Sequence, residues 1–147
     1  MQQQPKSDLV YLLGILESIG KIEHYSKDFD DSYGFYTADD QLRFNASLML
    51  IATIGDYARK VSIDMQTRYP EVPWKEMYGT RNRIAHDYMG VDFEIAFRII
   101  KTHLPELRMH IERMANIEIK SGVLLQEELE IARHSSWYKY VNFSALV

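Results

Sequence analysis

Apolar residues recur at intervals of three and four along most of this chain, a period that suits packed helices and little else. In the first run Leu9, Leu12, Leu13, Leu16, Ile19 and Ile22 share a face, and Ser7 stands where an N-cap belongs. The acidic, aromatic stretch from Lys27 to Tyr36 reads as a loop, and Thr37 followed by Asp40 resembles a capping box. A long helix is then expected to about Thr67, its stripe formed by Leu42, Ala46, Met49, Leu50, Ile54, Tyr57 and Val61, widened by Phe44, Leu48 and Ile51. Pro70 and Pro73 close it. A third helix follows from Trp74 to Met89, with Gly90 as its C′ residue. Asp92 caps a fourth, carrying Phe93, Ile95, Ala96, Ile99 and Ile100, and Pro105 opens a fifth, carrying Leu107, Ile111 and Met114.

The tail is less regular. "LLQEELEIARH" has helical character, whereas "SSWYKYVNFSALV" alternates aromatic and polar residues and could be extended. The expectation is all-α: an antiparallel bundle of four to five helices in a single domain, residues 1–147, with 118–147 as a C-terminal extension. The head Met1 to Pro5 lacks a charged region ahead of an apolar block, so no secretory signal is expected, and no apolar run reaches membrane-spanning length. The absence of cysteine rules out disulfides and thiolate metal sites and fits a cytoplasmic setting. A net charge of −4 argues against a broad basic face that coats nucleic acid, but leaves room for a local one: Lys75, Arg81 and Arg83 stand close together, opposed by Glu76 and Asp87.

That basic neighbourhood includes the densest chemistry in the chain. "GTRNRIAHDYMGVD", residues 79–92, places Arg81, Asn82, Arg83, His86, Asp87 and Tyr88 within eight positions. On one helix Asn82 and His86 share a face, while Arg81 and His86 point roughly 140° apart. A two-fold homodimer removes that difficulty, because facing motifs bring two imidazoles and two guanidiniums into one cleft. Those groups suit RNA cleavage without a metal or other cofactor. Attack of a 2′-OH on the neighbouring phosphate needs a base and an acid, and histidine, titrating near ~6.5, can be either. Arginine can hold the phosphate in bidentate fashion and stabilise its developing charge. Asn82 could orient the imidazole or bond a phosphate oxygen, and Arg83 and Lys75 could contact phosphate. DNA has no 2′-OH and would escape.

Arg81 to Tyr88, R-N-R-I-A-H-D-Y, resembles the Arg-x4-His-x-Tyr signature of HepT-like toxins in the HEPN superfamily. The flanks agree: "PEVPWKEMYGTRNRIAHDYMGVD" is similar to the family's central block, "RFNASLMLIATIGDYARKVS" to its upstream helix, and "LPELRMHIERM" to its final one, over about Asp8 to Met114. The resemblance implies a HEPN-like helical bundle that dimerises and an endoribonuclease toxin acting on RNA. It also implies an antitoxin of the minimal nucleotidyltransferase (MNT) type. It makes Arg81 and His86 catalytic, with Asn82 the polar residue beside the arginine, and Tyr88 the acceptor of AMP from the antitoxin. Adenylylation there would add bulk and negative charge beside the cleft and repel RNA. Asp56 and Tyr57 depart from the family's Glu-Ala, which weakens any role carried over for that carboxylate. The alternative is a HEPN-fold partner of a nucleotidyltransferase that binds and does not cut.

Other polar groups have plainer readings. His103, His110 and His134 lack zinc-type spacing and read as surface residues. The acidic positions 28, 30, 31, 39 and 40 do not form a calcium loop and suit solvated or capping roles. Trp74 reads as a packing anchor.

Overall fold

The computed structural model describes residues 6–147, so the head Met1 to Pro5 lies outside the described residues. Within them the protein is all-α and holds no strand. Four helices carry the architecture: α1 (Asp8–Ser26), α3 (Leu42–Lys60), α5 (Trp74–His86) and α7 (Leu104–Lys120). Shorter pieces connect or extend them: α2 (Ser32–Thr37), α4 (Ile63–Arg68), α6 (Phe93–Arg98) and α8 (Gln126–Arg133). No described helix is long and apolar enough to cross a membrane.

α1 is the centre. Leu9, Leu12, Leu13, Ile15, Leu16, Ile19 and Ile22 are all buried, so the helix is wrapped on more sides than one amphipathic stripe would be. Ser7 caps it as expected, accepting the Leu9 N–H at 3.2 Å. Polar ties fix the helix directions. Asp8 at the start of α1 accepts the Ser62 N–H and O–H, just past the end of α3. Arg43 at the start of α3 donates to the Tyr25 carbonyl near the end of α1. The two helices are therefore antiparallel. Lys101 donating to the Ser26 carbonyl and Arg108 pairing with Glu23 run α7 antiparallel to α1 in the same way.

Several boundaries differ from the sequence expectation. The stretch Lys27 to Tyr36 is not wholly loop: Asp31 accepts the Tyr33 and Gly34 N–H groups and starts α2. Thr37 and Asp40 form no capping box, because the Thr37 hydroxyl donates back to the Tyr33 carbonyl. Asp39, Asp40 and Gln41 take left-handed backbone, and α3 begins only at Leu42. The long helix does not run to Thr67 but breaks after Lys60, where Ser62 turns extended and caps α4 by accepting the Met65 N–H. The α3 stripe is rotated from the expected one. Phe44, Ser47, Leu48, Ile51, Ile54, Gly55 and Ala58 face inward, while Leu42 (67% exposed) and Met49 (71%) face solvent.

The third helix ends at His86, three residues early. Gly90 is not a left-handed C′ residue; it sits in a 3-10 turn, Tyr88–Gly90, where the Asp87 carboxylate folds over it too closely for a Cβ. Asp92 caps α6 as expected, accepting the Glu94 and Ile95 N–H groups, and Pro105 stands in the first turn of α7. Ile95 is half exposed, whereas Ala96 and Ile100 reach the core. A π-helical turn, Ile99–His103, joins α6 to α7. The tail forms α8 and two 3-10 turns, and it buries Leu129, Val141 and Leu146 against the bundle.

Candidate ribonuclease site

α5 starts from a fixed point. Trp74 is buried, and its indole N–H donates to the Tyr69 carbonyl at 3.0 Å, which makes it the anchor expected of it. Beyond that anchor α5 buries only Met77 and Ile84, so most of its surface is open. It lies antiparallel to α3: Arg59 stacks over the Tyr78 ring at 4.7 Å, and Arg81 lies against Gly55 and Asp56 further on. Gly55 sets the closeness of approach. A Cβ at that position would overlap the Arg81 Cβ and stand 2.7 Å from the Met77 carbonyl oxygen.

Arg81 Nε donates to Asp56 Oδ1 at 2.7 Å, across an ion pair that is 36% and 50% exposed at its two ends. An exposed pair of this kind adds about 0–1 kcal/mol to stability. Its consequence is geometric: it aims the guanidinium and leaves the two terminal amines to meet a phosphate. The carboxylate that looked insecure from the departure at Asp56 therefore has a partner.

Asn82 and His86 are exposed and one turn apart on the face expected of them. Arg81 and His86, both on α5, remain roughly 140° apart about its axis, so one protomer does not turn them toward the same point. Tyr88 is not on the helix with them. It occupies the following 3-10 turn, and its phenol donates to Asn45 Oδ1 at 2.5 Å while the ring stays 42% exposed. Partial burial pushes the phenol above its ordinary range, so it is a weaker acid and a poorer spontaneous nucleophile than a free tyrosine. Nothing in the sequence singled out Asn45 as its partner. Arg83 lines a small cleft of about 130 Å³ with Ile84, Asp92 and Ile95. Lys75 sits eleven residues before His86, about 16 Å away along the axis, and is not part of the same cluster.

One stripe of α3 runs beside this seam. Leu42, Asn45, Met49, Ala52 and Asp56 follow one another at spacings of three and four, and all but Ala52 are exposed. The stripe thus carries the partner of Tyr88 near one end, the partner of Arg81 at the other, and bare apolar side chains between. Met89, next in sequence to Tyr88, is 93% exposed.

A family model described as "Ribonuclease HepT-like" matches residues 15–114. A Methanocaldococcus jannaschii protein named "Putative RNase MJ1380" is 32% identical over 102 residues, covering 69% of this chain and 91% of that protein. "Probable ribonuclease HepT" of Thermococcus cleftensis is 29% identical over 106 residues, 71% of this chain and 92% of that protein. "Gamma-glutamylcyclotransferase and putative RNase MJ0434", also from Methanocaldococcus jannaschii, is 31% identical over 102 residues, 69% of this chain but only 45% of that longer protein. No solved structure matches the chain.

Proposed function

We propose, from the premise that this chain belongs to the HepT-like ribonuclease family, that it is the toxin of a toxin–antitoxin pair and cuts RNA at a cleft shared by two protomers. The observation that carries the reading is the exposed stripe of α3, spaced like a coiled-coil seam and ending in the ligands of the motif side chains. Two such stripes packed antiparallel about a two-fold axis between Met49 and Ala52 would set one protomer's Asn45 opposite the partner's Asp56. The Tyr88 and His86 end of one motif would then stand over the Arg81 end of the other.

In that cleft Arg81 clamps the scissile phosphate while Asp56 fixes its Nε. His86 takes the 2′-hydroxyl proton or protonates the leaving 5′-oxygen, with the second His86 free for the complementary role. Asn82, one turn behind, bonds a phosphate oxygen or steadies the imidazole, and Arg83 extends the anion contact. The chemistry needs no metal: the nucleophile comes from the substrate, and both proton transfers lie within reach of imidazole at neutral pH. An MNT-type antitoxin would silence the site by placing AMP on Tyr88, the exposed phenol at the cleft's edge.

The test is cleavage of RNA in EDTA by the wild-type protein and by His86→Ala. Cutting by the first and not the second supports the reading; RNA left intact by both overturns it. A second reading has one observation in its favour: Asp56 already neutralises Arg81, as it would in a protein that binds a nucleotidyltransferase and does not cut. Expression alone separates the two. A toxin arrests growth in a manner that depends on Arg81 and His86, and a silent partner leaves growth unchanged.

A further inference from the structure

The C-terminal extension, which lies outside the family match at residues 15–114, does more than seal the bundle. Its chain passes over α1 in backbone contact, because a Cβ on Gly20 would overlap the Tyr140 carbonyl. Buried Glu17 accepts the Tyr140 N–H and ties the tail down at the same point. The residues just before that tie project outward. Trp137, on a 3-10 turn whose N–H is capped by the Ser135 hydroxyl, is 69% exposed. So large an apolar ring stands in water although the turn that carries it is anchored to the bundle.

Trp137, Lys139 and Tyr140 of the tail line a cleft of about 270 Å³ together with Thr53 and Tyr57 of α3 and Glu17 and Lys21 of α1. Neither lysine is in an ion pair among the described residues. Lys139 lies over the Tyr140 ring at 5.4 Å, and beyond Tyr57 the ring of Tyr11 follows at 6.2 Å with Lys60 above it. Aromatic planes alternating with ammonium groups suit single-stranded nucleic acid, whose bases stack and whose phosphates need cations. The volume falls just under the ~300 Å³ at which clefts for drug-sized ligands begin, which suits one base and not a larger ligand. The position also fits. Tyr57 is next in sequence to Asp56, and Thr53 is one turn below it, so this cleft and the Arg81 ion pair occupy adjoining faces of α3.

We propose that this cleft is a stacking subsite for one unpaired base of the RNA substrate, held between Trp137 and Tyr57, with Lys21 and Lys139 on the flanking phosphates. The proposal rests on the ribonuclease reading for its choice of ligand. It explains how a chain of net charge −4 grips a polyanion: the cations are local and interleaved with rings.

The experiment uses full-length His86→Ala protein, so that RNA survives the measurement, and a fluorescently end-labelled single-stranded RNA of mixed sequence followed by anisotropy. Base stacking on an aromatic is worth about 1–3 kcal/mol, so Trp137→Ala should weaken binding by roughly fivefold or more, while Trp137→Phe restores most of it. Lys21→Ala with Lys139→Ala should flatten the dependence of log Kd on log salt by about one to two. Thermal melts of each variant, unchanged, confirm that the bundle is intact. The proposal is overturned if the His86→Ala protein binds no RNA, or if Trp137→Ala binds within twofold of its parent. Because binding is read without cleavage, a wild-type protein that fails to cut yet shows the Trp137 dependence would sink the catalytic reading and leave the subsite standing.

Discussion

Gly55 and Arg81 touch so closely that no side chain larger than hydrogen fits between the helices that carry them. The contact makes a backbone position in α3 responsible for where the Arg81 guanidinium, the proposed phosphate clamp, ends up. Gly55→Ala must push α5 outward or twist the Arg81 stem, and overpacking of this kind costs about 1–3 kcal/mol. Urea denaturation should show a loss of that size. Cleavage should fall further than stability, by about a hundredfold, because a displacement near 1 Å at a catalytic group can cost that much. A Gly55→Ala protein with wild-type kcat/KM would show that the close seam does not position Arg81.

Asp56→Asn separates aiming from charge. The ion pair is half in water, so unfolding free energy should change by about 1 kcal/mol or less. If the carboxylate aims the guanidinium, kcat should drop about tenfold with little change in KM. If Asp56 instead holds Arg81 away from RNA, kcat/KM should rise, and the positioning role is wrong.

Much of this was legible beforehand and some was not, for identifiable reasons. Caps at Ser7 and Asp92 and the proline at 105 are local signals, and they placed their helices correctly. The inward face of α3 was misread because Leu42 and Met49 are apolar and exposed. A stripe suited to a second protein surface looks, in sequence, like a stripe suited to the core. The early end of α5 was hidden because residues 87–89 are compatible with a helix. What stops it is Asp87, whose backbone leaves the helical region (φ −143°, ψ 58°) and leads into a turn held by Tyr88 bonding Asn45, some forty residues away in sequence. Asp31, in sequence a solvated or capping carboxylate, is a cap, and the six-residue helix it starts is too short to show a period.

Met49 offers a direct probe of the two-fold arrangement. It is 71% exposed, so Met49→Glu should change the stability of an isolated protomer by no more than about 0.5 kcal/mol. Placed on a stripe that meets its own copy, the two carboxylates would be buried close together on either side of the axis. Sedimentation should then report monomer where the wild type is dimer, and cleavage should vanish with the dimer. A Met49→Glu protein that remains dimeric, or a monomer that still cuts, rules out this stripe as the shared cleft.

Tyr88 should be the only residue modified if AMP transfer silences the site. Its phenol is raised by partial burial and bonded to Asn45, so transfer will depend on a base supplied by the transferase. Intact-mass measurement after co-expression with an MNT-type nucleotidyltransferase should show the gain of adenylyl groups on the wild type and none on Tyr88→Phe. The Phe variant should keep cleavage within severalfold, because the hydroxyl takes no part in the proton transfers. Labelling that persists in Tyr88→Phe places the acceptor elsewhere.

Glu17 gives the protein a predictable response to pH. Burial pushes its carboxyl above the ordinary 4.5, against the Tyr140 N–H and Lys21, which pull the other way, and one oxygen has no hydrogen-bond partner. With the folded value above the unfolded one, the folded state holds the proton more tightly in the window between them. The stability this group contributes is therefore fully present below about 4.5 and is lost as pH rises through the folded value. Gln at this position mimics the protonated acid and can still accept the Tyr140 N–H. Glu17→Gln should accordingly melt a few degrees higher than wild type at pH 7, and the gap should close on acidification toward pH 4.5. A gap that is constant with pH would mean that Glu17 does not titrate with folding, and a Glu17→Gln protein that melts lower at pH 7 would mean that its charge holds the tail in place.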